Sequence, residues 1–251
     1  MTDTQRGFGA DRLALIADIE AWHFWFEGRR RLVSDLLRRV VAPGGGRVLD
    51  IGCGTGAMSR HLAGLGYRTV GVDPLAGART PASGQVSLVR GDARALPVAS
   101  GSCAAVLLLD VLEHTDDARA LGEAHRVLGP AGVSILAVPA LPWLWSVRDD
   151  KAGHLRRYTR RGVLDLVDRA GFVVERWTGY QCLLLPAVAL SRWRARRRRS
   201  ALAGEEAPGP LINRLFGLVN RMELSLGRFV RWPIGSSLVV QCRRSRPEGT
   251  R

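Results

Sequence analysis

The chain has only four cysteines in 251 residues, Cys53, Cys103, Cys182 and Cys242, and no two form a C-x-x-C pair. Their scatter argues against a zinc site and a disulfide framework, and points to a reducing cytoplasm. No apolar stretch reaches the roughly 18–20 residues that span a bilayer. Met1 to Asp11 lacks the apolar core of a secretory signal. Lysine is nearly missing: Lys151 is the only one among 37 basic residues, the rest being arginine. So lopsided a choice reflects genomic base composition as much as function. The formal net charge of +14 therefore fits a solvated arginine-rich surface, an anionic membrane surface or an anionic substrate. No basic strand interleaved with aromatics and no helix-turn-helix signature is present, which argues against nucleic acid as a partner.

What is present is enough for one folded α/β domain, with 46% hydrophobic residues over a length that can bury a large core. The most informative stretch is Val48-Leu-Asp-Ile-Gly-Cys-Gly-Thr-Gly56. An apolar run from Arg47 to Ile51 reads as a buried strand, and a helix-like segment follows from Ala57 to Leu65. Between them Gly52, Gly54 and Gly56 alternate, as a sharp turn or a close ligand approach requires. Strand, glycine turn and helix make the nucleotide crevice of a doubly wound domain. The spacing is not the dinucleotide G-x-G-x-x-G, and Asp50 stands just before the glycines. A carboxylate there would repel a pyrophosphate but suits ammonium and sulfonium charges, those of S-adenosylmethionine.

Further acids end the next apolar runs. Tyr67 to Val72 leads to Asp73-Pro74, where an acid suits ribose hydroxyls. Val86 to Arg90 leads to Gly91-Asp92-Ala93, where an acid can accept from an adenine amino group. Ala104 to Leu109 leads to Asp110-Val111-Leu112-Glu113-His114. Over roughly residues 45–140 this order resembles the class I S-adenosylmethionine-dependent methyltransferases. The resemblance implies a Rossmann-like, doubly wound α/β fold with a seven-stranded, mostly parallel sheet whose last strand is antiparallel. It also implies a helical N-terminal lid and a helical C-terminal insertion. By the same resemblance Asp50, Gly52, Cys53 and Gly54 meet the methionine moiety, Asp73 and Pro74 the ribose, and Asp92 and Ala93 the adenine. Asp110 and Val111 complete the cofactor pocket.

The expected organisation is a single domain over 1–251. It comprises a helical lid (1–42), the cofactor core (45–140), a substrate insertion (141–159) and a helical cover (180–232) that is partly flexible near 200–210. Asp11 to Ala21 and Arg29 to Val41 have helical apolar spacing. The aromatic cluster Trp22-His23-Phe24-Trp25-Phe26 between them is either core under the sheet edge or part of the lid. Relatives carry a similar aromatic–arginine segment. By that likeness Trp25 faces the cofactor and Arg29 pairs with its carboxylate. Asp116 to Leu128 reads as a helix, and Val133 to Val138 as the fifth strand. Pro139 then opens an irregular insertion through Tyr158. Thr159 can cap a helix from Arg160 to Ala170, closed by Gly171. Phe172 to Thr178 and Gly235 to Arg243 are the remaining strands.

The insertion follows the carboxyl end of a central strand, where substrate chemistry belongs. Its Gly153-His154-Leu155-Arg156-Arg157-Tyr158 resembles a block found in a bacterial subgroup of these methyltransferases. His154 is the candidate general base for a hydroxyl, with a structural histidine as the alternative. His114 is a second candidate beside the substrate. Arg156 and Arg157 could pair with an anionic substrate or with Asp149 and Asp150. The Asp110-x-x-Glu113-His114 pattern resembles a segment of quinone-biosynthesis O-methyltransferases that holds a divalent ion. Here Asp110 replaces a longer glutamate, so no metal is expected and Glu113-His114 lines the pocket.

Tyr180 to Leu190 is apolar and leads into arginines around Trp193. Leu211 to Phe229 returns to helical spacing. The first segment is either an interfacial helix or a cover on the substrate pocket with its basic end in solvent. The expected activity is methyl transfer to an oxygen, less readily nitrogen or carbon, of a small-molecule, natural-product or envelope-lipid intermediate. The expected location is the cytoplasm, with peripheral contact at the inner face of the membrane. The alternative is a protein that binds S-adenosylmethionine without transferring its methyl group, as a structural partner or a cyclase-type catalyst.

Overall fold

Side chains of the central strands alternate between two apolar sets, and helices cover both. The computed structural model describes residues 9–76, 86–198 and 208–245. Its strands are β1 (Arg47–Ile51), β2 (Arg68–Asp73), β3 (Ser87–Arg90), β4 (Cys103–Leu109), β5 (Leu128–Pro139), β6 (Phe172–Tyr180) and β7 (Ser237–Arg244). They form one seven-stranded sheet in the order β3-β2-β1-β4-β5-β7-β6. The pairs from β3 to β5 are parallel, and β7 runs antiparallel to both β5 and β6. The expected sheet, with its antiparallel last strand, is the one found.

The helices are α1 (Ala10–Ile19), α2 (Phe24–Arg38), α3 (Ala57–Gly64), α4 (Asp117–Val127), α5 (Val147–Ala152), α6 (Arg160–Arg169), α7 (Leu185–Arg198) and α8 (Pro210–Leu226). Leu49, Ile51, Val106, Leu108, Leu136 and Val138 face α4 and α6 on one side of the sheet. Val48, Leu107, Ile135 and Ala137 face α2 and Leu62 of α3 on the other. Because both faces are buried, the strands read as continuous apolar runs rather than alternating ones. The strand order reverses between β1 and β4, so the crevice outside their carboxyl ends is the natural ligand position.

Local chemistry shifts several expected boundaries. α2 begins at Phe24, five residues earlier than apolar spacing indicated. The His23 ring accepts a hydrogen bond from Trp25 N at 3.2 Å and caps the helix, so the aromatic run forms its first turn. The insertion after β5 is not irregular. It contains a short 3₁₀ turn at Pro142–Leu144 and then α5, opened by a reciprocal capping box between Ser146 and Asp149. Thr159 caps α6 as expected, accepting from Gly162 N at 3.0 Å. Of the flexible break expected near 200–210, residues 200–207 lie outside the described residues, and Pro210 opens α8. All four cysteines are free, and no described helix is long and apolar enough to cross a membrane.

Candidate functional site

The glycine turn lies at the carboxyl end of β1, where Gly52, Gly54 and Gly56 all adopt left-handed φ values of +67°, +53° and +81°. At Gly52 a side chain is excluded twice. The φ is unfavourable, and a Cβ would stand 2.5 Å from Val111 Cγ2. Gly52 N donates to Val72 O at 2.7 Å, which pins the turn beside β2. The Asp73 carboxylate accepts from Gly54 N at 2.9 Å and from Leu75 N at 2.8 Å. Asp50 is buried under the turn and accepts from Ser59 Oγ at 2.6 Å. Burial pushes its pKa up to about 6, against the Ser59 hydrogen bond and the positive charge of Arg29. A cationic ligand would relieve that desolvated carboxylate, so the residues present fit a sulfonium compound.

At the carboxyl ends of the next strands the backbone is unusual. Among the described residues, the non-glycine positions with left-handed φ are Asp110, Leu141 and Gln181. They follow β4, β5 and β6 at one edge of the sheet, and such residues concentrate at ligand sites. Asp110 forms an ion pair with Arg29, whose guanidinium lies 4.1 Å over the Trp25 ring. Burial lowers the Arg29 pKa to about 10, although Tyr180, Asp50 and Glu113 oppose the shift. Arg29 is thus a cation set among acids at the mouth of the glycine turn. α1 lies over the same place. Glu20 accepts from Thr55 Oγ1 at 2.7 Å, Leu13 reaches the space above Gly54, and the charge of Arg12 acts on His114.

The insertion brings His154 to this edge through a buried carboxylate. Asp149 has no exposed surface and accepts four hydrogen bonds. His154 Nδ1 and Arg157 Nε donate to Oδ1 at 3.0 and 2.8 Å. Ser146 N and Arg192 Nη1 donate to Oδ2 at 2.9 and 2.6 Å. Burial alone would raise the pKa of Asp149, but His154, Arg192, Arg157 and Ser146 together hold it down at about 2. An ionised carboxylate can only accept, so Nδ1 of His154 is the donor in this pair and Nε2 is the ring nitrogen turned away from Asp149. That Nε2 stands 4.0 Å from Glu113 Oε1, and the His154 ring meets the His114 ring edge-on at 4.9 Å. Glu113 is fully buried with neither oxygen hydrogen-bonded, and burial pushes its pKa up to about 8. His114 Nδ1 lies 3.2 Å from Gly153 O, and burial, then the nearby His154, lowers its pKa to about 4.

Asp50, Gly52, Cys53, Gly54, Asp73, Pro74, Asp110 and Val111 thus fall along one edge, with Trp25 and Arg29 above it. Asp92 carries the Arg94 guanidinium on its partly exposed carboxylate, through Nε at 3.0 Å and Nη2 at 2.7 Å. Arg157 pairs with Asp149 and Arg156 with Asp117, at 2.8 Å in both cases. Glu113, His114 and His154 offer ligand atoms all within 4.8 Å of one another, so they could hold a metal ion. Asp110 is turned to Arg29 instead. The aromatic cluster divides: Trp25 serves Arg29, whereas Phe24 packs on Phe216 of α8. The basic end of α7 is not simply in solvent. Arg192 reaches Asp149, and Arg196 donates to Trp143 O and, at 2.6 Å, to Trp145 O. Sequence reasoning missed Asp149 as the group that orients His154. The Ser146-x-x-Asp149 capping pattern was the available signal.

A family model described as a methyltransferase domain matches residues 25–176, more than half of the chain. The chain is 29% identical over 162 residues to a probable S-adenosylmethionine-dependent methyltransferase of Mycolicibacterium smegmatis, covering 61% of each. It is 34% identical over 134 residues to a ubiquinone biosynthesis O-methyltransferase of Azorhizobium caulinodans, covering 50% of this chain and 49% of that one. It spans about half the length of the curated relatives it matches. Among solved structures, a possible histamine N-methyltransferase of Thermotoga maritima has the same fold. The TM-score is 0.57 at 19% identity, covering 97% of this chain and 100% of that one.

Two substitutions test the electrostatics. Asp149→Asn leaves Arg157 and Arg192 without their buried counter-charge and should cost about 3–5 kcal/mol at neutral pH. The native carboxylate is depressed to about 2, so its stabilisation is complete above the ordinary value of 3.8 and is lost as pH falls through 2. In denaturant titrations the gap between wild type and variant should therefore narrow from pH 4 to pH 2. Glu113 has the opposite sign. Its raised pKa makes its contribution complete below 4.5 and lost as pH rises through about 8. Glu113→Gln should thus be more stable than wild type by about 2–4 kcal/mol at pH 7, the difference vanishing near pH 4. A gap that does not change with pH would refute the assignment of a neutral Glu113.

Proposed function

The chain belongs to the methyltransferase-domain family, and from that premise we propose that it is an S-adenosylmethionine-dependent enzyme. It methylates a hydroxyl oxygen, less readily nitrogen or carbon, of a small-molecule or lipid-linked metabolite. The observation that carries the hydroxyl reading is the Asp149–His154 pair at the strand edge that bears the glycine turn. The segment after β4 connects the two, since Val111 packs on Gly52 and Glu113 lies beside His154.

In this reading Asp50, Gly52, Cys53 and Gly54 receive the methionine moiety, Asp73 and Pro74 the ribose, and Asp92 and Ala93 the adenine. Asp110 and Val111 close the pocket, and Arg29, steadied on Trp25, meets the carboxylate. The bound cofactor supplies an electrophilic methyl group on a sulfonium. His154 Nε2 takes the proton from the substrate hydroxyl. Asp149 holds the opposite ring nitrogen and stabilises the imidazolium that forms, the division of labour known from histidine–carboxylate catalysis. His114, kept neutral by burial, packs against that ring and lines the substrate side. Glu113, protonated at neutral pH, adds no negative charge there. α1 and α2 act as the lid over residues 1–42, keeping water from a reaction that disperses charge. α7, fastened to the insertion by Arg192 and Arg196, is the cover of the substrate pocket. A protein that only bound the cofactor would have no use for an oriented base, so transfer is favoured over the binding-only alternative. The Gly153–Tyr158 block supports assignment to a bacterial subgroup of the family. Its substrate is a natural-product or envelope-lipid intermediate, reached from the cytoplasm with peripheral contact at the inner membrane face.

A second reading comes from the Glu113, His114 and His154 cluster, whose chemistry suits a divalent ion. Under the preferred reading methyl transfer survives exhaustive chelation. Loss of turnover in EDTA with restoration by magnesium would favour the metal.

His154→Ala should lower kcat by roughly 10²–10⁴-fold, the usual worth of positioned proton transfer. Cofactor affinity, read by calorimetry, should hardly move. Near-normal turnover in the variant, or joint loss of cofactor binding and thermal stability, would make His154 a structural residue.

A further inference from the structure

α8 is turned inside out. Its inward face carries the polar groups: Asn213 accepts from Phe24 N and donates to Trp22 O, both at 2.9 Å. Asn220 donates to Tyr180 Oη at 2.8 Å, and buried Glu223 accepts from Leu183 N at 2.8 Å. Leu211, Leu215, Leu218, Met222 and Leu226 line the opposite face and are all exposed, followed by Phe229 at 89%. Their spacing makes one stripe, roughly 22 Å long at the helical rise. Arg214 and Arg221 stand seven residues apart along one border of the stripe and both are exposed, while Arg228, just past the helix, lies 3.7 Å from Asp35. Glu223, the only acid from Pro210 to Ile234, is buried on the other side.

We propose that this face of α8 lies in the surface of an anionic lipid bilayer. The leucines, Met222 and Phe229 enter the boundary between headgroups and acyl chains, and the arginine border meets lipid phosphates. A contiguous exposed apolar stripe rimmed by one sign of charge has the properties of an interfacial helix. Self-association fits less well. An antiparallel pair of copies would set the arginine border of one helix against that of the other. The inference rests on the membrane contact proposed above and deepens it by naming the surface and its lipid charge. Vesicle binding and methyl transfer are read separately, so each can fail alone.

The test is co-sedimentation of the full chain with vesicles of phosphatidylcholine, with and without about one third phosphatidylglycerol. Wild type should pellet with the anionic vesicles and not with the neutral ones. Leu218→Glu with Met222→Glu should abolish pelleting, while thermal unfolding and cofactor binding are unchanged because both side chains are exposed. Arg214→Gln and Arg221→Gln should each lower partitioning about fivefold, and less at high salt. Failure to pellet with either vesicle would overturn the proposal, as would a double-glutamate variant that pellets like wild type. Light scattering that shows a wild-type dimer, a monomeric double-glutamate variant and no vesicle binding would assign the face to a second copy.

Discussion

The candidate site depends on one buried charge. Taking the Asp149 carboxylate out of water costs several kcal/mol, which only close donors on every side can offset. The chain supplies four, from three places: Ser146 N at the start of α5, His154 and Arg157 after its end, and Arg192 from α7. Satisfying this carboxylate therefore folds the insertion back on itself, fastens α7 over it and selects the His154 tautomer. The placement of His154 and the docking of α7 have one electrostatic cause.

A second constraint acts at the sheet edge. Asp110, Leu141 and Gln181 occupy left-handed backbone conformations that cost of order 1–3 kcal/mol each. All three follow strands whose cores are tightly packed, so the sheet over-determines where the chain must turn. The result is an edge where Asp110 pairs with Arg29 and the charges of Asp50 and Glu113 also act on it. Burial raises the pKa of Asp50 and Glu113, and a bound cation would draw Asp50 back to its ionised form.

Arginine richness reads differently in three dimensions than in composition. Besides Arg157 and Arg192, Arg126 grips Glu123 at 2.6 Å and reaches the carbonyls of Val98 at 2.9 Å and Leu96 at 3.1 Å. Lysine, with a compact charge and no planar fork, would not bridge several acceptors in this way. Part of the basic surplus is therefore structural mortar. Another part borders the outward apolar stripe of α8, where charge and hydrophobicity lie side by side.

The nine residues from Val48 to Gly56 settled most of the fold, because a buried parallel strand, a glycine turn and a helix each leave a local mark. The positions of Asp73 and Asp110 at strand ends were legible for the same reason, each lying directly after an apolar run. The partners of Asp149 were not, since Arg192 is 43 residues away and nothing local links the two. The orientation of α8 was hidden as well. Apolar periodicity identifies a helix and its stripe but not which face turns inward, and here Asn213, Asn220 and Glu223 won that side by hydrogen bonding to distant backbone and to Tyr180. Sequence determined what depends on neighbours along the chain. Tertiary structure decided which buried polar groups found partners, because that balance between desolvation and pairing exists only once the chain is folded.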